Sequence, residues 1–485
     1  MSISTALSNA LSGLTATSRA AQIVSSNVAN ASTDGYGVRR LVTSAAVLGG
    51  QGTGVRIVGV DRQVDTVLIS ARRDADASLG QAATQADFTR RIEAAIGSPD
   101  DPFSLTAHIA NFEASLINAA NRPESQTRLA GVLDTAERLA GKLNTLSETV
   151  QSARLDADKG IVRDVAYLNS TLADIHEINI EIRRNQGAGR DSSALFDQQQ
   201  ALIDGLAPLI PVREMRDNTG QVSLYSADGL TLLDGRPATF GFDGATVMAA
   251  DLTLANAGLS GLSLNGRPVE MSGSFPALQG GGLAARFRVR DDLAITAQAQ
   301  LDAVARDLAS RMDDPALDPT VASGDPGLFT DAGNLVVAAN EIGLSGRLRV
   351  NAQVDPARGG AVWRLRDGLG ATVEGPAGQA GLLQDMLTAL QAVTPTQSGG
   401  FSGAGRSLGT LAADFLSMAG LARQSAENDE VFATSRHGTL REAELSTGVD
   451  TDREMQELLL IEQAYAANAR IVQTVEELLD QLLRI

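Results

Sequence analysis

Asp450, Asp452 and Glu454 alternate as the first oxygen ligands of a calcium loop do. The glycine and the distal glutamate that such a loop needs are missing, so the three read as negative charge at the start of a helix, where it is favourable. Gly50, Gly52 and Gly54, and later Gly403 and Gly405, cluster like phosphate-binding glycines. None has Lys and Ser or Thr at the required spacing, and they read as turns. Asp313, Asp314, Asp318 and Asp325 read as a solvated loop rather than a cation site. The histidines, His108, His176 and His437, are far apart, and no Ser–His–Asp or His–carboxylate constellation is legible. The absence of cysteine removes thiolate nucleophiles, disulfides and Cys-based metal sites. The expectation is a protein that is not an enzyme and takes no metal or cofactor.

The bulk composition agrees. The 485 residues are 43% hydrophobic but only 4% aromatic, so aliphatic side chains and alanine must build the core. That favours slender helical packing. A net charge of -18 repels phosphate backbones and argues against nucleic-acid binding. Residues 1–19 lack the basic and apolar regions of a signal peptide. No apolar run reaches the roughly eighteen residues of a membrane span, so no membrane insertion is expected.

The elements that remain to be explained are the two ends. From Ile3, steps of four and three give Leu7, Ala10, Leu14, Thr17, Ala21, Val24 and Val28, a narrow coiled-coil seam interrupted by Thr17 alone. From Leu458, steps of three and four give Ile461, Tyr465, Asn468, Val472, Val475, Leu479 and Leu482, with Asn468 the polar member. Thr451 and Glu454 have capping-box spacing at the start of that helix. The two seams are expected to pair with each other and with neighbouring subunits.

Between the ends, the spacing predicts helices over 87–96, 104–120 and 194–206. A long helical pattern over 124–185, read as one interrupted helix or two end to end, pauses at Gly160. Residues 211–242 alternate between turn signals at 217–220, 228–229 and 234–235 and read as hairpins. Further strands are expected through 246–282 and near 334–337, 347–354 and 361–366. Helices are expected at 292–312, 379–392 and 406–430. The fold class is α+β, mainly α, with long helices, coiled-coil terminal helices and a β-rich insertion. The domains follow as 1–45 (N-terminal axial helix), 75–206 (long helices), 207–282 (β-rich insertion), 283–447 (mixed return) and 448–485 (C-terminal axial helix).

Particular motifs carry a resemblance. Ala10-Leu11-Ser12-Gly13-Leu14, Ser26-Asn27-Val28-Ala29-Asn30 and Thr33-Asp34-Gly35-Tyr36 resemble the leading motif of flagellar rod, hook and hook-associated proteins. Ser446-Thr447-Gly448-Val449-Asp450-Thr451-Asp452-Arg453-Glu454-Met455 and Ile461-Glu462-Gln463-Ala464-Tyr465-Ala466-Ala467-Asn468 resemble the C-terminal signature of the hook-associated protein 1 (FlgK) family. Leu195-Phe196-Asp197-Gln198-Gln199-Gln200-Ala201-Leu202-Ile203 is similar to an interior segment of that family, with Gln199 and Gln200 where Arg and Asp are usual. The resemblance implies a structural subunit of the hook–filament junction, exported by the flagellar type III apparatus. It implies self-association into a tube, with hook protein, a second junction protein and an export chaperone as partners. The implied subunit interface comprises Ile3, Leu7, Leu11, Leu14, Ala21, Val24, Asn27, Val28, Asn30, Gly35 and Tyr36 at one end. At the other it comprises Leu458, Ile461, Tyr465, Asn468, Val472, Val475, Leu479 and Leu482.

Overall fold

The computed structural model describes residues 3–48, 51–217, 219–271, 276–401 and 403–483. The chain opens with helix α1 (Ile3–Ala29), followed by an antiparallel hairpin of β1 (Val38–Leu48) and β2 (Gln51–Gln63), paired from Val38 with Gln63 outward. The hairpin is a correction to the sequence reading, which placed a boundary at 45 and turns at Gly52 and Gly54; Gly50 lies outside the described residues. Its alternation does not serve a buried face: Val42, Val47, Val55, Ile57 and Val58 are all exposed.

Helix α2 (Thr66–Ile96) is three times longer than the helix predicted over 87–96. Its cap is Asp65, whose carboxylate accepts from the Val67 and Leu68 amides. Ala75, Ala77, Ala82 and Ala86 line much of its buried face, so the large residues that announce a helical stripe are scarce. Helix α3 (Leu105–Ala120), capped by Ser104, follows. Then α4 (Gln126–Gly187) runs 62 residues, about 90 Å, without a break. Gly160 does not interrupt it. The side chain of Arg286 crosses the helix there, and a Cβ at Gly160 would lie 2.7 Å from its guanidinium.

After α5 (Ser193–Leu206) come the small sheets. Strands β3 (Val212–Arg216), β4 (Val222–Ser226), β5 (Thr231–Asp234) and β6 (Arg236–Pro237) form an antiparallel meander. Strands β7 (Phe240–Gly241), β8 (Leu262–Leu264) and β9 (Arg267–Val269) form a second sheet. Residues 246–261, predicted as strand, are irregular backbone. Two buried arginines secure this segment: Arg154 donates to the carbonyls of Ala249 and Leu252, and Arg290 donates to that of Ser260.

Helix α6 (Gly281–Arg288) continues through a π-helical turn at Val289–Leu293 into α7 (Ala294–Arg311), eleven residues ahead of the predicted start at 292. Gly281, at φ 77°, lets α6 begin against the α5–β3 turn; a Cβ there would stand 2.2 Å from the Leu209 carbonyl oxygen. Strands β10 (Phe329–Asp331) and β11 (Leu348–Val350) pair, with the turn α8 (Leu344–Arg347) before β11. Of the strand predicted at 334–337 only Asn334 forms a bridge, to Asp331, and 361–366 runs into the helical turn α9 (Arg364–Asp367). Helix α10 (Gly381–Gln391) precedes α11 (Leu408–Ser446), which runs sixteen residues past the predicted end at 430, and α12 (Thr451–Leu483) closes the chain.

Two apolar cores are strung along α4. The first gathers Leu129–Ala157 of α4 with Phe88, Phe112, Leu301, Phe329, Leu383 and Phe415. The second gathers Ile161–Ile175 with Leu206, Leu224, Leu233, Phe240, Leu283 and Phe287. Neither core includes a residue of α1, β1, β2 or α12. These four elements form an axial module, and α2 to α11 form a body.

Candidate functional site

Small residues let α1 approach α12. Ala10, Gly13 and Ala16 are buried on α1, followed by Ile23, Val24 and Asn27. A Cβ at Gly13 would lie 2.8 Å from Oδ1 of Asn468, so the polar member of the C-terminal seam sits directly over a glycine. Gly13 faces Asn468 and Asn27 bonds Glu454, so the two helices run antiparallel.

The seam residues are distributed more broadly than a strict stripe. Val24 and Val475 are buried. Ile3, Leu7, Leu14, Ala21, Val28, Leu458, Ile461, Asn468 and Val472 are half-buried, as are Asn30, Gly35 and Tyr36 of the loop end. Leu11, Tyr465 and Leu479 are exposed, and the side chain of Leu482 lies outside the described residues. The cause is that α1 has two partners. The Val55 amide donates to Ser12 Oγ at 3.1 Å, so β2 lies against a second face of α1 while α12 holds the first. A groove between the three elements is lined by Leu14, Arg19, Ile57 and Tyr465.

Asn27 is the polar centre of this end. It is 1% exposed, and its amide is fully used. Oδ1 accepts from the Tyr36 hydroxyl at 2.9 Å and the Arg39 amide at 3.1 Å; Nδ2 donates to the Arg39 carbonyl and to Glu454 Oε2, both at 2.9 Å. Glu454 therefore does not close a capping box. The cap of α12 is Asp450, whose carboxylate accepts from the Asp452 and Arg453 amides.

Asp197 on α5 ties this end to the body. Its Oδ1 accepts from the Gly37 amide at 2.9 Å and Arg62 Nε at 2.7 Å, and its Oδ2 from Arg39 at 2.6 Å. Gln200 accepts a further bond from Arg62 at 2.6 Å. Gln199, the other departure from the family pattern, faces inward and donates to Asn179 of α4. Sequence reasoning quoted Asp197 and Glu454 inside motifs but gave neither its partner. It passed over Arg62 altogether, because nothing within the hairpin requires it.

Beside the joint is a cleft of about 520 Å³, walled by loop 30–36, α2, α5 and the end of α11. At its floor Arg72 bridges Asp76, Asp204 and Glu444, while Arg73 reaches Asp204 and Glu214. Burial pushes the Asp76 carboxyl up from its ordinary value, against the opposing pull of Arg72. His437 Nε2 stands 2.9 Å from Asp76 Oδ1, a pair invisible in the sequence. Among the described residues no cluster of three or more His, Cys, Asp or Glu is placed to hold a metal. No described helix is long and apolar enough to cross a membrane.

The chain is similar to known proteins of one kind. Residues 89–327 match the flagellar hook-associated protein FlgK helical domain. Residues 445–485 match the flagellar basal body rod FlgEFG protein C-terminal family, and residues 7–36 the flagella basal body rod protein family. Flagellar hook-associated protein 1 of Bacillus subtilis is 24% identical over 515 residues, covering 98% of this chain and 97% of that protein. The Salmonella typhimurium protein of the same name is 26% identical over 243 residues, 49% of this chain and 44% of that relative, so this match spans less than half of it. The solved flagellar hook junction protein FlgK of Burkholderia pseudomallei aligns with a TM-score of 0.42 and 21% identity over 54% of this chain and 46% of that one. The matched helical domain, the matched termini and the near full-length Bacillus relative together support a place in the flagellar hook-associated protein 1 (FlgK) family, whose members are structural proteins of the flagellum and not enzymes.

Proposed function

We infer that the chain is a hook–filament junction subunit. It leaves the cell through the flagellar type III apparatus, polymerises on the hook tip through its axial module, and presents the surface on which the filament is built. One observation supports this above the others. Helix α12 gives one face to α1 and leaves Met455, Leu459, Leu460, Tyr465, Ile471 and Leu478 exposed, with Leu460 at 66%. Large apolar side chains left exposed in this number along one helix mark a protein–protein contact. A heterologous contact repeated by rotation and rise builds a tube. The partners are then other copies of the chain, hook protein on one side, the second junction protein on the other, and an export chaperone holding the C-terminal helix beforehand. The place is extracellular, between hook and filament.

Electron microscopy of cells lacking the gene tests the reading, with the medium probed for flagellin. Finished bare hooks with flagellin lost to the medium are expected. Basal bodies without hooks would assign the chain to the rod or hook, a second reading favoured by the generic matches at both termini. Normal filaments would remove the flagellar role.

A further inference from the structure

Only two short links join the axial module to the body: residues 64–65 between β2 and α2, and 447–450 between α11 and α12. Neither apolar core reaches across them. Among the described residues, most of the hydrogen bonds and ion pairs that cross converge on Asp197, which takes the Gly37 amide, Arg62 and Arg39. From Arg39 the contacts continue without a gap. Its guanidinium lies 4.8 Å over the Tyr36 ring, the Tyr36 hydroxyl donates to Asn27, and Asn27 donates to Glu454 in the first turn of α12.

We propose that Asp197 is the positioning residue that fixes the angle at which the axial pair leaves the body. One carboxylate on α5 holds the N-terminal connector directly and α12 through the connector. Charge-assisted bonds to two arginines and an amide make it the strongest single contact across the joint. Among the described residues two other polar contacts cross: the bond from Arg62 to Gln200 at 2.6 Å, whose acceptor is a neutral amide and therefore weaker than the carboxylate beside it, and the largely exposed ion pair of Arg441 with Asp34 at 3.5 Å, which contributes little. The adjoining cleft leaves room for the module to swing once the carboxylate is gone. Without Asp197 the α1–α12 pair persists, because none of its own contacts involves that residue, but its orientation is no longer set. This proposal concerns the chain itself and holds or fails independently of its place in the flagellum.

The chain has no cysteine, so introduced pairs report cleanly. A Cβ at Gly35 would lie 3.9 Å from that of Ala201, within the range of about 3.5–4.5 Å for a disulfide, so Gly35→Cys with Ala201→Cys reads the joint. The left-handed φ of 77° at Gly35 strains a cysteine equally in every background compared. Gly13→Cys with Asn468→Cys reads the helix pair. Oxidation of each pair is followed by gel mobility in the purified full-length chain. Asp197→Ala should slow the 35–201 cross-link about tenfold and leave the 13–468 cross-link unchanged. Asp197→Asn should fall between, since its carbonyl can still accept from Gly37. Equal 35–201 rates with and without the carboxylate would overturn the proposal. Parallel slowing of both pairs would overturn it too, by showing general loss of structure, as would a 35–201 pair that fails to oxidise with Asp197 in place.

Discussion

An amide and a carboxylate have nearly the same shape, and Asn27 shows why the difference matters. Its two acceptor contacts and two donor contacts are all taken, and one donor points at Glu454, which is 3% exposed. Asn27→Asp keeps the volume but turns both donors into acceptors facing a carbonyl and a second carboxylate. The expected outcome is loss of α1–α12 pairing at neutral pH. Amides between Gly13 and Val28 should exchange at least about tenfold faster, since a buried charged group left without its donor costs more than about 1.4 kcal/mol. The defect should shrink as pH falls through the carboxylate range, because a protonated acid regains a donor. Unaltered exchange would refute the role given to Asn27. The sequence made Asn27 legible as part of a motif but could not show its partner, because the bond to Glu454 spans 427 residues. Asn468 is the converse case: the heptad marked it as the polar seam residue, and the structure adds that Gly13 makes room for it.

At the scale of the element, legibility followed the size of the buried side chains. Helices α3, α5 and α10 carry Leu, Ile, Phe and Met on their inner faces and were placed within a few residues. The first half of α2 packs through alanine and paired arginines, and α11 buries no residue beyond Ala433 and meets α2 there through Glu444 and His437, so neither displays an apolar period. The hairpin was missed for a related reason, since its valines do not alternate between core and solvent. The same logic separates two meanings of an apolar seam. Leu14 on α1 is half-buried against the groove it shares with Ile57 and Tyr465, and it belongs to neither core. Leu14→Asp should therefore block co-assembly with hooks while leaving the thermal midpoint of the body unchanged. A large fall in that midpoint would mean that α1 is an ordinary packed helix of the body.

At the scale of the molecule, the question is whether two cores mean two folding units. Ala157 ends the α4 contribution to the first core and Ile161 begins the second, about one helical turn later. The boundary is filled rather than open. Arg290, fully buried, pairs with Asp158 at 2.7 Å, and Arg154 donates to the Arg290 carbonyl at 3.0 Å. Unfolding either core alone would fray α4 at this point and strand buried charges, a cost of several kcal/mol. The two cores should therefore melt as one unit. Leu172, fully buried in the second core, offers the test. Leu172→Ala should remove about 2–5 kcal/mol through lost contacts and a cavity. In calorimetry the whole body transition should move down as a single peak. Any separate, earlier transition of the axial module should stay where it is, because α1, α12 and the hairpin share no core residue with Leu172. Splitting of the body peak, with one part unmoved, would show that α4 joins two independent domains instead of uniting one.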